Sequence, residues 1–87
     1  MFLEVVGVLQ AYVLLKFHKD PKEALPIQEI LKELKTIQGV KEAHALFGDI
    51  DGIALVEAQT PKLLTAIVQQ ISSVPGIERT DTRIVVP

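Results

Sequence analysis

Ile37-Gln38-Gly39-Val40-Lys41-Glu42 and Val74-Pro75-Gly76-Ile77-Glu78-Arg79 are two versions of one passage. Each closes a helical run on an apolar residue, stops at a glycine, and opens a strand with one apolar and two charged residues. Glycine suits the stop because it takes a left-handed backbone just past a helix end without a Cβ penalty. Ahead of the first passage, Ile27, Ile30, Leu31, Leu34 and Ile37 share one face of a helix predicted from about Pro26 to Ile37. Gln28, Glu29, Lys32, Glu33 and Lys35 cover the other face. Pro26 belongs in or before the first turn, where its missing N–H costs nothing. Ahead of the second passage, Thr60-Pro61 gives an N-cap and a first-turn proline. Leu63, Leu64, Ile67, Val68, Ile71 and Val74 form that helix's apolar face, and Pro75-Gly76 stops it.

Strands account for the rest. Leu9 to Phe17, with Tyr12-Val13-Leu14-Leu15 at its centre, reads as a central strand buried on both faces. Val5-Val6-Gly7-Val8 leads into it, with Gly7 as a candidate bulge, and His18-Lys19-Asp20-Pro21 ends it. Val40 to Phe47 and Ile53 to Ala58 flank the hairpin Gly48-Asp49-Ile50-Asp51-Gly52, and Ile77 to Val86 is the last strand. The order β-α-β-β-α-β makes two interleaved βαβ units with right-handed crossovers. The expected fold is α+β: a ferredoxin-like βαββαβ sandwich whose four-stranded antiparallel sheet carries both helices on one face.

At 87 residues the chain makes one domain, and a domain this small buries only roughly 60–65% of its unfolded surface. It has no cysteine, so neither disulfides nor a thiolate metal site stabilises it. Association between subunits is the remaining source. Nine basic and eleven acidic residues, spread along the chain, give a net charge of −2. A nucleic-acid surface needs clustered cations to displace counterions, so direct nucleic-acid binding is not expected. Met1 to Leu15 is interrupted by Glu4, Gly7 and Gln10, with no basic leader or cleavage pattern, and is too short to span a bilayer. A cytoplasmic, membrane-free protein is the default expectation.

The sheet face without helices carries the functional question. Alternation separates Tyr12, Leu14, Lys16, His44, Leu46 and Leu55 from Ala11, Val13, Leu15, Ala43, Ala45, Phe47, Ala54 and Val56. The second set is wholly apolar and is assigned to the helix side. The first is mixed, too oily for plain water and too polar for a core. Such a patch marks an interface, so Tyr12, Leu14, His44 and Leu46 are assigned to a face-to-face homodimer.

The order and spacing of Gly39-Val40-Lys41-Glu42-Ala43, Gly48-Asp49-Ile50-Asp51, Val56-Glu57, Pro75-Gly76-Ile77 and Thr80-Asp81-Thr82 resemble the effector domain of Lrp/AsnC-family regulators, the RAM domain. Residues 1–9 are then a lead-in segment and residues 10–87 one RAM-like ligand-binding and oligomerisation domain, of dimeric α/β-barrel type. The resemblance implies an amino-acid effector, dimers assembling to octamers or decamers, a role in transcription regulation, and no catalysis or cofactor. With about nine residues ahead of the first strand, the chain reads as lacking the family's DNA-binding domain, and DNA-binding relatives are candidate partners.

A free amino acid offers a carboxylate for backbone N–H groups or hydroxyls and an ammonium for a carboxylate. Gly48 and its neighbours in the hairpin supply the N–H groups, and Asp51, matching the family's Gly-x-x-Asp, is the candidate for the ammonium. Asp49, Thr80 and Thr82 complete the candidate ligand-binding set. Plainer readings stand beside this one: Asp49 and Asp51 as turn residues bonding their own backbone, Thr80 and Thr82 as ordinary strand residues. His44 reads as an interface residue and His18 as a solvated one, without metal-ligand spacing. Two rivals remain open. One is a small dimeric α/β-barrel enzyme, monooxygenase- or isomerase-like, using Tyr12 and His44. The other is a pure assembly module with a vestigial pocket.

Overall fold

A computed structural model describes residues 7–86. Its elements run β1 (Leu9–Phe17), α1 (Ile27–Lys35), β2 (Val40–Ala45), β3 (Gly52–Ala58), α2 (Pro61–Ser72) and β4 (Ile77–Ile84). The strands form one antiparallel sheet in the order β2-β3-β1-β4. The expected ferredoxin-like sandwich is therefore present. The part of the lead-in at residues 1–6 lies outside the described residues, and Gly7 and Val8 precede β1 without joining it. No helix among the described residues is long and apolar enough to cross a membrane.

The core lies between the sheet and the helices. Ala11, Val13 and Leu15 of β1, Ala43 of β2, and Ala54 and Val56 of β3 meet Ile30 and Leu34 of α1 and Leu64, Ile67 and Ile71 of α2. Burial alternates strictly along β1 and β3, so the central strand is buried on one face only, contrary to the two-sided expectation. Thr60 caps α2 as expected, its hydroxyl accepting from the Leu63 N–H at 3.1 Å. Pro26 is the residue before α1, and that helix ends at Lys35, two residues short of the expected Ile37. Ile27 and Leu63, at the edges of their helical stripes, remain exposed.

The passages that opened the sequence reading lock the two halves together. Gly39 and Gly76 adopt φ +102° and +97°. A Cβ on Gly39 would collide with Ile67 Cδ1 of α2, and one on Gly76 would lie 2.8 Å from Ile30 Cδ1 of α1. The spacing that separates Gly39 from Gly76 also separates Ile30 from Ile67 and Leu34 from Ile71.

The hairpin departs from expectation. β2 ends at Ala45, and Ala45 and Phe47, assigned to the helix side, are both exposed. The Leu46 N–H closes the ladder on the Asp51 carbonyl at 2.9 Å, after which Gly48 turns the chain at φ +127°. Alternation stops counting once the strand has ended. Phe17 takes the place expected of Phe47, and its ring edge would lie 2.9 Å from a Cβ on Gly52. β3 accordingly begins at Gly52, one residue early, and β4 ends at Ile84, two residues before Val86.

Candidate functional site

Register lays out the helix-free face as rows running across the sheet. One row reads Glu42, Leu55, Tyr12, Arg83, and the next His44, Ile53, Leu14, Asp81. Below them Lys16 of β1 stands beside Arg79 of β4. Apolar residues occupy the two central strands and charges the two edges. Glu42 Oε1 lies 3.1 Å from His44 Nε2, one step along β2. Asp81 and Arg83 form a bidentate pair along β4, the Arg83 Nη2 to Asp81 Oδ2 bond measuring 2.8 Å. That guanidinium holds the Asp81 carboxyl below its ordinary value, and Asp81 raises Arg83 in return. Tyr12, Leu14 and His44 thus lie on the open face. Leu46 is exposed just past the end of β2.

Asp51 stands at the junction of the hairpin with β1. Its Oδ2 accepts from Lys19 Nζ at 2.6 Å and from the Phe17 N–H at 2.8 Å, while its own N–H donates to the Leu15 carbonyl at 2.9 Å. The Lys19 hydrogen bond, then the Phe17 N–H and the charges of Lys19 and Lys16, hold its carboxyl below the ordinary range against a partial desolvation. Asp51 therefore clasps the hairpin to the end of β1. A carboxyl depressed in the folded state contributes stability above its unfolded value, near 4, and loses it as pH falls through the lower folded value. Urea unfolding between pH 7 and pH 2.5 is expected to show stability declining below about pH 4. Asp51→Asn should flatten that decline, and an unchanged slope would contradict the clasp.

Beside the hairpin, a depression of about 390 Å³ lies over the β1–β4 seam. Asp49 and Ile50 from the hairpin, Leu14, Leu15 and Lys16 from β1, and Arg79, Thr80, Asp81 and Arg83 from β4 line it. Lys16 Nζ donates to the Asp49 carbonyl at 2.8 Å, tying β1 to the hairpin. Of the five candidate ligand residues, Asp49 and Thr80 share this depression. Asp51 lies behind it, engaged by Lys19. Gly48 is exposed at the turn, and a Cβ there would meet nothing within 4 Å. Thr82 pairs with buried Val13 and so faces the helix side. Thr80, opposite Leu15, shares that orientation, its hydroxyl 3.3 Å from Ser72 Oγ of α2.

Lys16, Arg79, Asp81 and Arg83 lie outside the ligand-binding set expected from sequence, where Lys16 entered only as a residue of the mixed face and Asp81 only in the resemblance. The signal for the three β4 residues is that strand's odd-numbered alternation, which acquires meaning only once β4 is known to pair with β1 and to put Arg79 opposite Lys16.

Comparison with known proteins places the chain in context. Residues 10–86 match the family model described as "Lrp/AsnC ligand binding domain". Among solved structures, the chain is similar to FFRP-DM1, at 29% identity and a TM-score of 0.74 over 90% of this chain and 99% of that one. It is also similar to the hypothetical protein PHS023 of Pyrococcus horikoshii, at 31% identity and a TM-score of 0.72 over 91% and 90% of the two chains. The feast or famine regulatory protein Rv3291c of M. tuberculosis, complexed with L-methionine, shares the fold at 23% identity and a TM-score of 0.74, over 91% of this chain and 50% of that one. A homocitrate synthase of Sulfurisphaera tokodaii is 38% identical over 56 residues, which is 64% of this chain and 12% of that enzyme's length.

Proposed function

This chain belongs to the Lrp/AsnC ligand-binding domain family, and on that premise we propose that it is a cytoplasmic, non-catalytic effector domain that binds a free amino acid. The observation that carries the reading is the depression where Asp49 of the hairpin meets β4: it brings carboxylates and cations together against an apolar wall. A zwitterion with a side chain of its own needs those three features in one place. The methionine held by the M. tuberculosis regulator supports the same class of ligand. Within this reading two copies associate through the open sheet face, and dimers assemble further into rings. DNA-binding members of the family are the partners through which such an assembly reaches transcription. Thr82 and Gly48 contribute to the shape of β4 and of the turn, and Asp51 contributes by fixing the hairpin.

A second reading concerns the partner. The matching segment in homocitrate synthase makes up 12% of that enzyme, which favours a sensing module that answers to a biosynthetic enzyme instead of a promoter. The enzyme alternative built on Tyr12 and His44 has less support. Those residues lie on strands separated by β3, His44 is engaged by Glu42, and neither lines the depression.

Isothermal titration against the twenty amino acids tests the proposal. Saturable heat from at least one, in the micromolar to low millimolar range, is expected (about −4 to −8 kcal/mol). Flat traces across the whole panel would overturn it.

A further inference from the structure

The repeat that matches Gly39 to Gly76 also matches two grooves on the helix side of the molecule, and the two differ in charge. Leu25, Glu29, Lys32, Glu33 and Pro75 line the groove beside α1. In its counterpart beside α2, Ala66 stands where Glu29 does, Gln70 where Glu33 does and Gln38 where Pro75 does. That second groove encloses about 510 Å³ between α2, the start of β2 and the end of β3. Buried Ala58 and Ile67 line it, and Val8 and Leu63 add apolar surface that is 53% and 49% exposed. Along its twelve residues α2 carries one charge, Lys62, whereas the nine residues of α1 carry Glu29, Lys32, Glu33 and Lys35. Charge is depleted where a surface is buried against a partner. Two neighbouring apolar side chains left in water on such a surface point the same way.

At the other end of the β2–β3 ladder, the hairpin ends in a ring with nothing to cover it. Phe47 is fully exposed, at 109%, and stands past the end of β2, off the rows of the open face. Burial would take that apolar surface out of water. The Asp49 carboxylate beside it makes no hydrogen bond or ion pair among the described residues. At the groove, the β2–β3 register passes from Val40 to Glu42 and leaves Lys41 without a cross-strand partner. An irregularity of this kind re-aims a side chain, and Lys41 lines the groove with an ammonium that is likewise unengaged among the described residues.

We propose that the groove beside α2 receives the hairpin of a second copy of this chain, with the Phe47 ring against Leu63, Ala66 and Ile67 and with Lys41 facing the acidic turn. Knob and groove sit at opposite ends of one ladder, so a chain cannot fill its own groove. The contact is therefore heterologous, head to tail, and it repeats until its rotation closes a ring. It uses the helix layer and the hairpin tip, and leaves the open sheet face to the dimer. The assignment rests on the further assembly of dimers proposed above and deepens it by naming the two surfaces that meet.

Sedimentation of the whole chain, of Phe47→Glu, of Phe47→Tyr and of Ala66→Glu tests the contact. Ala66→Glu gives α2 the acid that α1 carries at Glu29. The unsubstituted chain and Phe47→Tyr should sediment as species larger than a dimer. Phe47→Glu and Ala66→Glu should each stop at the dimer, with association beyond it weaker by about thirtyfold or more. Mixing these two glutamate variants should bring back species larger than a dimer, because one keeps its groove and the other its ring. Damage to folding would not be rescued by mixing. Larger species formed by either glutamate variant alone, or a mixture that stays dimeric, would overturn the assignment. Loss of assembly in Ala66→Glu but not in Phe47→Glu, as expected of α2 packing on a neighbour's α2, is one such result. An unsubstituted chain that stops at the dimer would overturn this contact together with the ring step, and would leave the amino-acid reading standing.

Discussion

Leu14→Glu is expected to yield a folded chain that sediments as a monomer at micromolar concentrations where the unsubstituted chain sediments as a dimer or larger. The expectation follows from where Leu14 stands. It occupies the middle of the helix-free face, in the row His44, Ile53, Leu14, Asp81, and contributes nothing to the buried core. In the proposed dimer, a two-fold axis running along the strands would lay β2 of one protomer over β4 of the other. That arrangement would set Glu42 against the partner's Arg83 and His44 against the partner's Asp81, with Leu14, Tyr12, Ile53 and Leu55 at the apolar centre. Opposite charges at the edges set the register, and the apolar centre contributes about 25 cal/mol for each Å² removed from water. An isologous contact counts every substitution twice. A glutamate at position 14 removes apolar contact from both protomers and buries two unpaired carboxylates, so association should weaken by at least about a hundredfold, roughly 2.7 kcal/mol. A Leu14→Glu chain that stayed dimeric would remove the open face from the assembly altogether.

One residue further along, the expected result inverts. Leu15→Ala should leave the surface untouched and lower the melting temperature by roughly 10 °C or more. Leu15 is fully buried in a core cluster that draws on both helices and all four strands. Truncating a leucine in such a site costs about 2–5 kcal/mol, from lost transfer energy and the cavity left behind. A domain of this size has only roughly 5–15 kcal/mol of stability to lose. Thermal and urea unfolding followed by circular dichroism measure the change, with Leu14→Ala as the control expected to move little. A Leu15→Ala chain with unshifted melting would contradict the assignment of the helix-facing side. The pair of neighbours separates folding from association on a single strand.

Element order and the character of each helix were readable because amphipathic spacing and glycine stops are local properties. Ile30, Leu34, Leu64, Ile67 and Ile71 declared their burial by position alone. The end of β2 was not readable in the same way. Val40 to Phe47 keeps alternating in sequence, and only the Leu46–Asp51 hydrogen bond and the turn at Gly48 show that alternation has lost its meaning there. The candidate site divides likewise. Asp49 and Thr80 could be named from the resemblance, but their neighbours Lys16 and Arg79 meet only through the β1–β4 register, which is a long-range fact. Asp51 shows the opposite limit. Its position was recognisable, whereas its engagement by Lys19 depends on how the chain leaves β1.

The reciprocal seating of Ile67 at Gly39 and Ile30 at Gly76 bears on how this molecule comes into being. Neither βαβ repeat carries its own socket: each supplies a plug to the other and receives one back. A nascent first half emerging during synthesis has its isoleucine exposed and its notch empty until the second half arrives. Assembly of the native state therefore waits on the C-terminal half, and the two halves behave as one cooperative unit.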